Sequence, residues 1–256
     1  MQDAGSRAHP WGTVRAAVRT AWDTLGFTCA ISLTLFVACS PLAIAAPAGI
    51  GLGLPMAIAA YALVTGPIVA GACCLAWRIA ARDEPSYLDL WRGALALYGP
   101  AAALAGVQGV VASALSADVV LFLRLGPPVG IILSAIAGYA LAFWCLASVY
   151  HWPLLIAGDE GVLQGPNGGR PSLAALLRNA SVITLSAPGF TLAVAAAIIA
   201  GTTVMVLSGI GAALVAGGLA VHLMVQSVRD QLVRFGALPP PPDVDSPVED
   251  TRWRVE

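Results

Sequence analysis

Residues 24–77 read TLGFTCAISLTLFVACSPLAIAAPAGIGLGLPMAIAAYALVTGPIVAGACCLAW, and no Asp, Glu, Lys or Arg interrupts the chain between Asp23 and Arg78. A membrane crossing takes roughly 20 apolar residues at about 1.5 Å of rise each, so the stretch holds two. A soluble helix with no polar face would have nowhere to put its outer side. The charge-free turn from Pro47 to Pro55 reverses the chain midway. The first span is therefore expected over about 25–46 and the second over about 56–79, with Pro67 inside it. Trp77 and Arg78 mark the exit at headgroup level, where aromatic and basic side chains anchor a helix.

The rest of the chain repeats this arrangement. Of 256 residues 58% are hydrophobic and 11% charged, against roughly 25% charged in a soluble domain, and the charges return only in clusters. Four further spans follow over about 100–115 (continuing toward Phe122), 129–156, 190–207 and 210–228. The predicted fold class is all-α: a polytopic membrane bundle of six transmembrane helices with two cytoplasmic interfacial helices. Its domains are a cytoplasmic amino-terminal segment, 1–24, with an interfacial helix over Trp11–Asp23; the six-helix domain, 25–228; and a Pro-rich acidic tail, 229–256. Four consecutive prolines, Pro239 to Pro242, favour an extended polyproline conformation, and the acidic remainder cannot build a core, so the tail is expected to be disordered. The first apolar run is longer than the 7 to 15 residues of a signal peptide's core and is expected to stay in the mature protein.

The two interfacial helices are expected over 86–98 and 172–186. Ser86 stands at a cap position with Asp89 three residues on, a capping-box spacing. With the amino terminus inside, twelve arginines (Arg7, Arg15, Arg19, Arg78, Arg82, Arg92, Arg170, Arg178, Arg229, Arg234, Arg252 and Arg254) are cytoplasmic and Arg124 alone is external. That is the positive-inside pattern, and it predicts a bacterial cytoplasmic (inner) membrane protein with both termini in the cytoplasm. Shifting the sequence by 86 positions brings Pro67 onto Pro153, Pro85 onto Pro171, Ser86 onto Ser172 and Arg92 onto Arg178. An internal parallel repeat of two hairpins follows, spans two to three and spans four to five.

Polar groups inside the spans are few. Pro67 and Pro153 each free a carbonyl one turn earlier, which either lines a pathway or is satisfied by a neighbouring helix. Gln108 is the one strongly polar group of span three, fit either for a solute or for an interhelical hydrogen bond. His222 lies within span six, and His151 is expected at the interface beside Trp152. No Asp or Glu lies within the assigned cores of the spans, Asp118 being expected with Arg124 in a short outer loop after 100–115, which weakens the case for ion-coupled transport. The chain lacks HExxH, GxSxG and Walker motifs, so no catalytic, cofactor-binding or metal residue is expected, and no enzyme. A hydrolytic metal site would require Asp83, Glu84, Asp159 and Glu160 to converge. All five cysteines fall in apolar runs without ligand spacing, and a net charge of −1 gives no reason to expect nucleic acid.

The stretch ending Gly66-Pro67, the run from Arg78 to Gly93, Tyr150-His-Trp-Pro153, Leu176-Leu-Arg-Asn-Ala180 and Pro188-Gly-Phe-Thr191 together resemble the YesL-like family of small bacterial membrane proteins, a domain of unknown function. The resemblance covers most of the chain from span one to span six and implies a role beside carbohydrate uptake or utilisation. The leading expectation is an accessory or assembly component of a transport system, docking through Arg92 and Arg178. The alternative is a small transporter or channel whose pathway runs between the hairpins near Pro67, Gln108, Pro153 and His222. The expected partners are the lipid bilayer, other membrane transport subunits and a second copy of the chain.

Overall fold

A computed structural model describes residues 10–45, 53–81, 83–165, 168–207 and 212–239. The turn at 47–52, the Ser208–Gly209 reversal, Arg7, Arg82, and the tail from residue 240 on with Arg252 and Arg254 lie outside the described residues. The elements are α1 (Pro10–Asp23), α2 (Leu25–Ala45), α3 (Leu54–Ala60), α4 (Gly66–Ala81), α5 (Tyr87–Ala96), α6 (Tyr98–Leu123), α7 (Val129–Asp159), α8 (Leu173–Ser186), α9 (Pro188–Leu207) and α10 (Gly217–Arg234). A π-helical turn, Tyr61–Thr65, joins α3 to α4, and another, Ala212–Ala216, leads into α10. No strand occurs among the described residues.

Among the described residues, three helices are long and apolar enough to cross a membrane: Leu54–Ala81, Tyr98–Leu123 and Val129–Asp159. They become five if α1 with α2 and α8 with α9, bent by 95° and 101°, each count as one span. The helix expected over 100–115 and continuing toward Phe122 runs unbroken to Leu123, with the Ser116 hydroxyl returned to the Ala112 carbonyl. α10 runs past the expected boundary at 228 and carries Arg229, Asp230 and Arg234.

The core is formed by α4, α7 and α10, each packed on the other two. Leu75, Tyr150, Ile156 and Val228 are fully buried where they meet. One shorter helix covers each of the three: α5 lies on α4, α8 on α7 and α1 on α10, while α6 packs chiefly on α7 and α2 on α10. Lipid is as apolar as leucine, so helices in a membrane gain chiefly by close backbone packing at small residues. The glycines mark those places. A Cβ on Gly71 would collide with the Leu90 carbonyl, one on Gly93 with Cys74, and one on Gly218 with the Thr28 carbonyl.

α5, expected along the membrane surface, packs closely on α4. Asp89 pairs with Arg78, Gly93 meets Cys74, Ala94 meets Gly71, and the Tyr98 hydroxyl reaches the Leu63 carbonyl. The helix therefore runs antiparallel beside α4. Its start is as the spacing predicted: Leu88 N–H donates to the Ser86 hydroxyl, and Ser86 N–H donates to Asp89 Oδ2 at 2.8 Å. The outward face, Leu88, Trp91, Leu95 and Tyr98, is exposed and apolar.

One end of the bundle collects the arginines. The Arg229 guanidinium lies 5.1 Å over the Trp77 ring, tying α10 to α4, and Arg170 pairs with Asp159 where α7 ends. Thr13 donates to Asp230 from α1. Arg124 caps α6 at its far end, just before the cis Pro127-Pro128 bond.

Candidate functional site

The π turn at Tyr61–Thr65 inserts one residue into the helical ladder, so the Gly66 N–H bonds back to the Tyr61 carbonyl. Such insertions recur at functional positions because they re-aim one side chain out of register. Pro67 follows and removes the N–H that the Leu63 carbonyl would otherwise accept. The Tyr98 hydroxyl replaces it at 3.1 Å. Pro67 is thus a satisfied kink, and the residue aimed at the bundle is Tyr61.

Tyr61 donates to Gln108 Oε1 at 3.0 Å, and Gln108 Nε2 stands 2.9 Å from His151 Nδ1. The chain of three joins the π turn, α6 and α7 at a level where Gln108 is 5% exposed and His151 is wholly buried. The His151 ring meets Trp144 edge-on, centroids 5.3 Å apart. His151, expected at the interface, is buried inside the bundle, and α7 continues two more turns beyond it to Asp159. Its Nε2 has no partner among the described residues. With the Gln108 amide donating to Nδ1, the ring proton sits on Nε2 as a buried donor. With the amide reversed, Nδ1–H donates to the amide oxygen and Nε2 is a buried acceptor. Either way one polar atom is unpaired, at about 1–3 kcal/mol of desolvation.

A cavity of about 370 Å³ adjoins this chain. Tyr61, Gln108, Trp144, Ser148, Trp152 and Met224 supply its principal walls, and none of its lining residues is charged. Ser148 donates to the Trp144 carbonyl, which leaves its oxygen able to accept. Pro153 deprives the Val149 carbonyl of its ladder partner, and Val149 also lines the cavity. Two of the four candidate pathway residues, Gln108 directly and Pro153 through Val149, thus converge here. His222 does not: its Nε2 lies 3.3 Å from the Thr28 hydroxyl on α2. Met224, two residues further along α10, reaches the cavity instead.

The candidate docking residues are on the outside. The Arg92 side chain is 73% exposed and stands 3.9 Å from Asp89, and Arg178 is exposed on α8. Asp83, Glu84 and Glu160 are exposed, Asp159 is held by Arg170, and no metal-like group of three acidic, His or Cys ligands exists among the described residues. Cys73 and Cys74 are buried, whereas Cys39 and Cys145 are exposed, and Cys145 lines the cavity. Sequence reasoning missed Tyr61 and the burial of His151. The only hint was Tyr61 itself, a hydroxyl in an otherwise apolar run six residues before Pro67. No protein-family model matches the chain, and no curated protein or solved structure is similar to it.

Proposed function

We propose that the chain is a transport component of a bacterial inner membrane that holds a small uncharged solute in the cavity beside Gln108. The observation that carries this reading is the Tyr61–Gln108–His151 chain against an uncharged cavity of about 370 Å³. A charged solute would need a partner charge, and the polar groups of the walls are hydroxyls, an amide, indoles and the Cys145 thiol. Fully buried Leu75, Tyr150 and Ile156 close the arginine-bearing half of the bundle, so access comes from elsewhere.

The six-span topology with cytoplasmic termini belongs to the same proposal. Its support is the gathering of Arg78, Arg170 and Arg229 at one end and Arg124 at the other. The parallel repeat of two hairpins belongs to it too, and the packing of α5 on α4 and of α8 on α7 supports it. A second reading, an accessory subunit docking through Arg92 and Arg178, is favoured by their exposure.

Cys145 provides the test. In membrane vesicles of a Cys39→Ser variant, maleimide labelling of Cys145 requires a thiolate and hence water in the cavity. A solute from a panel of small uncharged compounds is expected to slow labelling, with the protection lost in Gln108→Ala. Labelling at one rate with every compound would sink the reading. Uptake by proteoliposomes holding this chain alone would separate a carrier from an accessory subunit.

A further inference from the structure

The cavity beside Gln108 continues past its own walls. Ala112 lines it and also lines a second, larger hollow of about 640 Å³ that extends to Arg124. The two are linked along α6 by the row Gln108, Ala112, Ser116, Val120 and Arg124, spaced four residues apart. Rows at this spacing are inclined to the helix axis, so they wind around it. Burial follows the winding: Gln108 is buried, Ala112 half-buried, and Ser116, Val120 and Arg124 are exposed. The row thus leads from the core of the bundle to its outside, rising about 18 Å between Ala112 and Arg124. α3 forms the other bank: Leu54 lines the larger hollow, and a Cβ on Gly109 would meet Ile58 at 3.4 Å.

α6 is one of the helices long and apolar enough to cross a membrane, so the exposed side chains of the row, with Leu121 beside them, are covered by acyl chains. A solute moving along the row therefore comes out of the bilayer. The charged residues of the larger hollow, Asp118 and Arg124, lie toward its far end, and none lines the inner cavity. At the inner end the walls ask for a hydrogen-bond donor. Tyr61 and Ser148 both spend their hydrogens inside the protein, on Gln108 and on the Trp144 carbonyl, so each offers an oxygen that accepts. Trp144 and Trp152 add flat apolar walls. A hydroxyl carried on an apolar ring answers both, whereas a polyol would leave hydroxyls unpaired against the indoles and on its way through lipid.

We infer that the solute is a small bilayer-soluble amphiphile, an uncharged alcohol or phenol on an apolar ring, that it reaches the cavity along α6 from the Arg124 end, and that Ala112 sets the size admitted. This rests on the transport reading above and names the solute class and the route for the same cavity.

The experiment is photolabelling of the full chain in membrane vesicles with a diazirine-bearing phenol, the labelled residues being mapped by mass spectrometry. Label is expected on Trp144 and Cys145, falling several-fold with excess 1-naphthol and unchanged with glycerol at the same concentration. The methyl ether of the probe should label them several-fold less. Ala112→Leu should cut this inner label several-fold while Ser116 and Val120 are labelled as before, and Ala112→Gly should keep it. Ser116→Leu, exposed and on the same row, repeats the block without touching the core, and melts of all three variants check the fold. No label on Trp144, inner label indifferent to both leucine variants, equal labelling by the ether, or displacement by glycerol would each overturn the inference. Glycerol slowing the maleimide reaction of Cys145 where 1-naphthol does not would overturn it and leave the cavity reading standing. If neither compound slows that reaction and Trp144 takes no label, both fall.

Discussion

Replacing Gln108 with Leu removes both links of the buried polar chain while keeping an apolar side chain of similar size. Two interhelical hydrogen bonds disappear, at 3.0 Å to Tyr61 and 2.9 Å to His151. Such bonds in membrane bundles are worth on average about 0.6 kcal/mol and at most about 1.7 kcal/mol each. The His151 Nδ1 is also left bare in a fully buried ring, a loss of about 1–3 kcal/mol, whereas Tyr61 faces the cavity and can turn to water. The total is about 2–4 kcal/mol, and at roughly 2–4 °C per kcal/mol for a chain of this size the melting temperature should fall by about 4–16 °C. Tyr61→Phe breaks one bond only and should cost about 1 kcal/mol. The two changes are coupled: in the Gln108→Leu background Tyr61→Phe should be neutral, since its partner has gone. Circular dichroism melts in detergent micelles measure all three proteins. A Gln108→Leu melt within 1 °C of the parent, or a Tyr61→Phe effect that persists unchanged in the double variant, would refute the relay.

Gly71→Ala forces a methyl against the Leu90 carbonyl and to 3.0 Å from the Ala94 Cβ, so α5 must shift off α4; a loss of about 2–4 kcal/mol is expected. Gly138→Ala meets nothing within 4 Å and should be neutral or mildly stabilising by helix propensity, so equal melts for the two variants would show that α5 does not lie where described. Asp230, at the junction of α1 and α10, has its pKa pushed up by burial, with the Thr13 hydroxyl and Arg229 pulling it the other way. A raised folded value means that its contribution to stability is present below the unfolded value of about 3.9 and is lost as pH rises through the folded value. Asp230→Asn should therefore melt above the parent at pH 7, with the advantage vanishing near pH 4. A lower melt at pH 7 would show that the Arg229 interaction outweighs burial.

Local chemistry was legible in the sequence and long-range packing was not. The capping box at Ser86 and Asp89, the apolar runs, the clustering of arginines and the interhelical use of Gln108 all depend on residues close in the chain or on composition. The partner of α1 is α10, some two hundred residues away, and nothing in the periodicity of Trp11–Asp23 names it. In α6 and α7 every face is apolar, so the spacing does not say which side turns inward. That is why His151, beside Trp152, read as an interfacial residue. The π turns left no mark either, because an inserted residue is visible only against a ladder already formed.

The three core helices share a feature that explains why the cavity lies where it does. Each carries a backbone irregularity: the π turn before α4, Pro153 within α7, and the π turn before α10. Both π turns report to α2. The Thr65 hydroxyl bonds to the Ala38 carbonyl, and Gly217 lies against Ser32 and Leu35. Ala38 and Ser32 are about 9 Å apart along that helix, so the two turns stand less than two helical turns apart along it. Tyr61 and His151 join the first turn to the level of Pro153 through Gln108. On the arginine side of this level the helices meet through Gly71, Gly93 and Gly218 with no room for a methyl. On the other side the side chains of α6 and α9 are largely exposed. A tightly packed half cannot open by small adjustments, since dense cores change state only by discrete repacking. Any motion that admits a solute must therefore bend the helices at the π turns and Pro153, and the polar chain at Gln108 is what that motion would break.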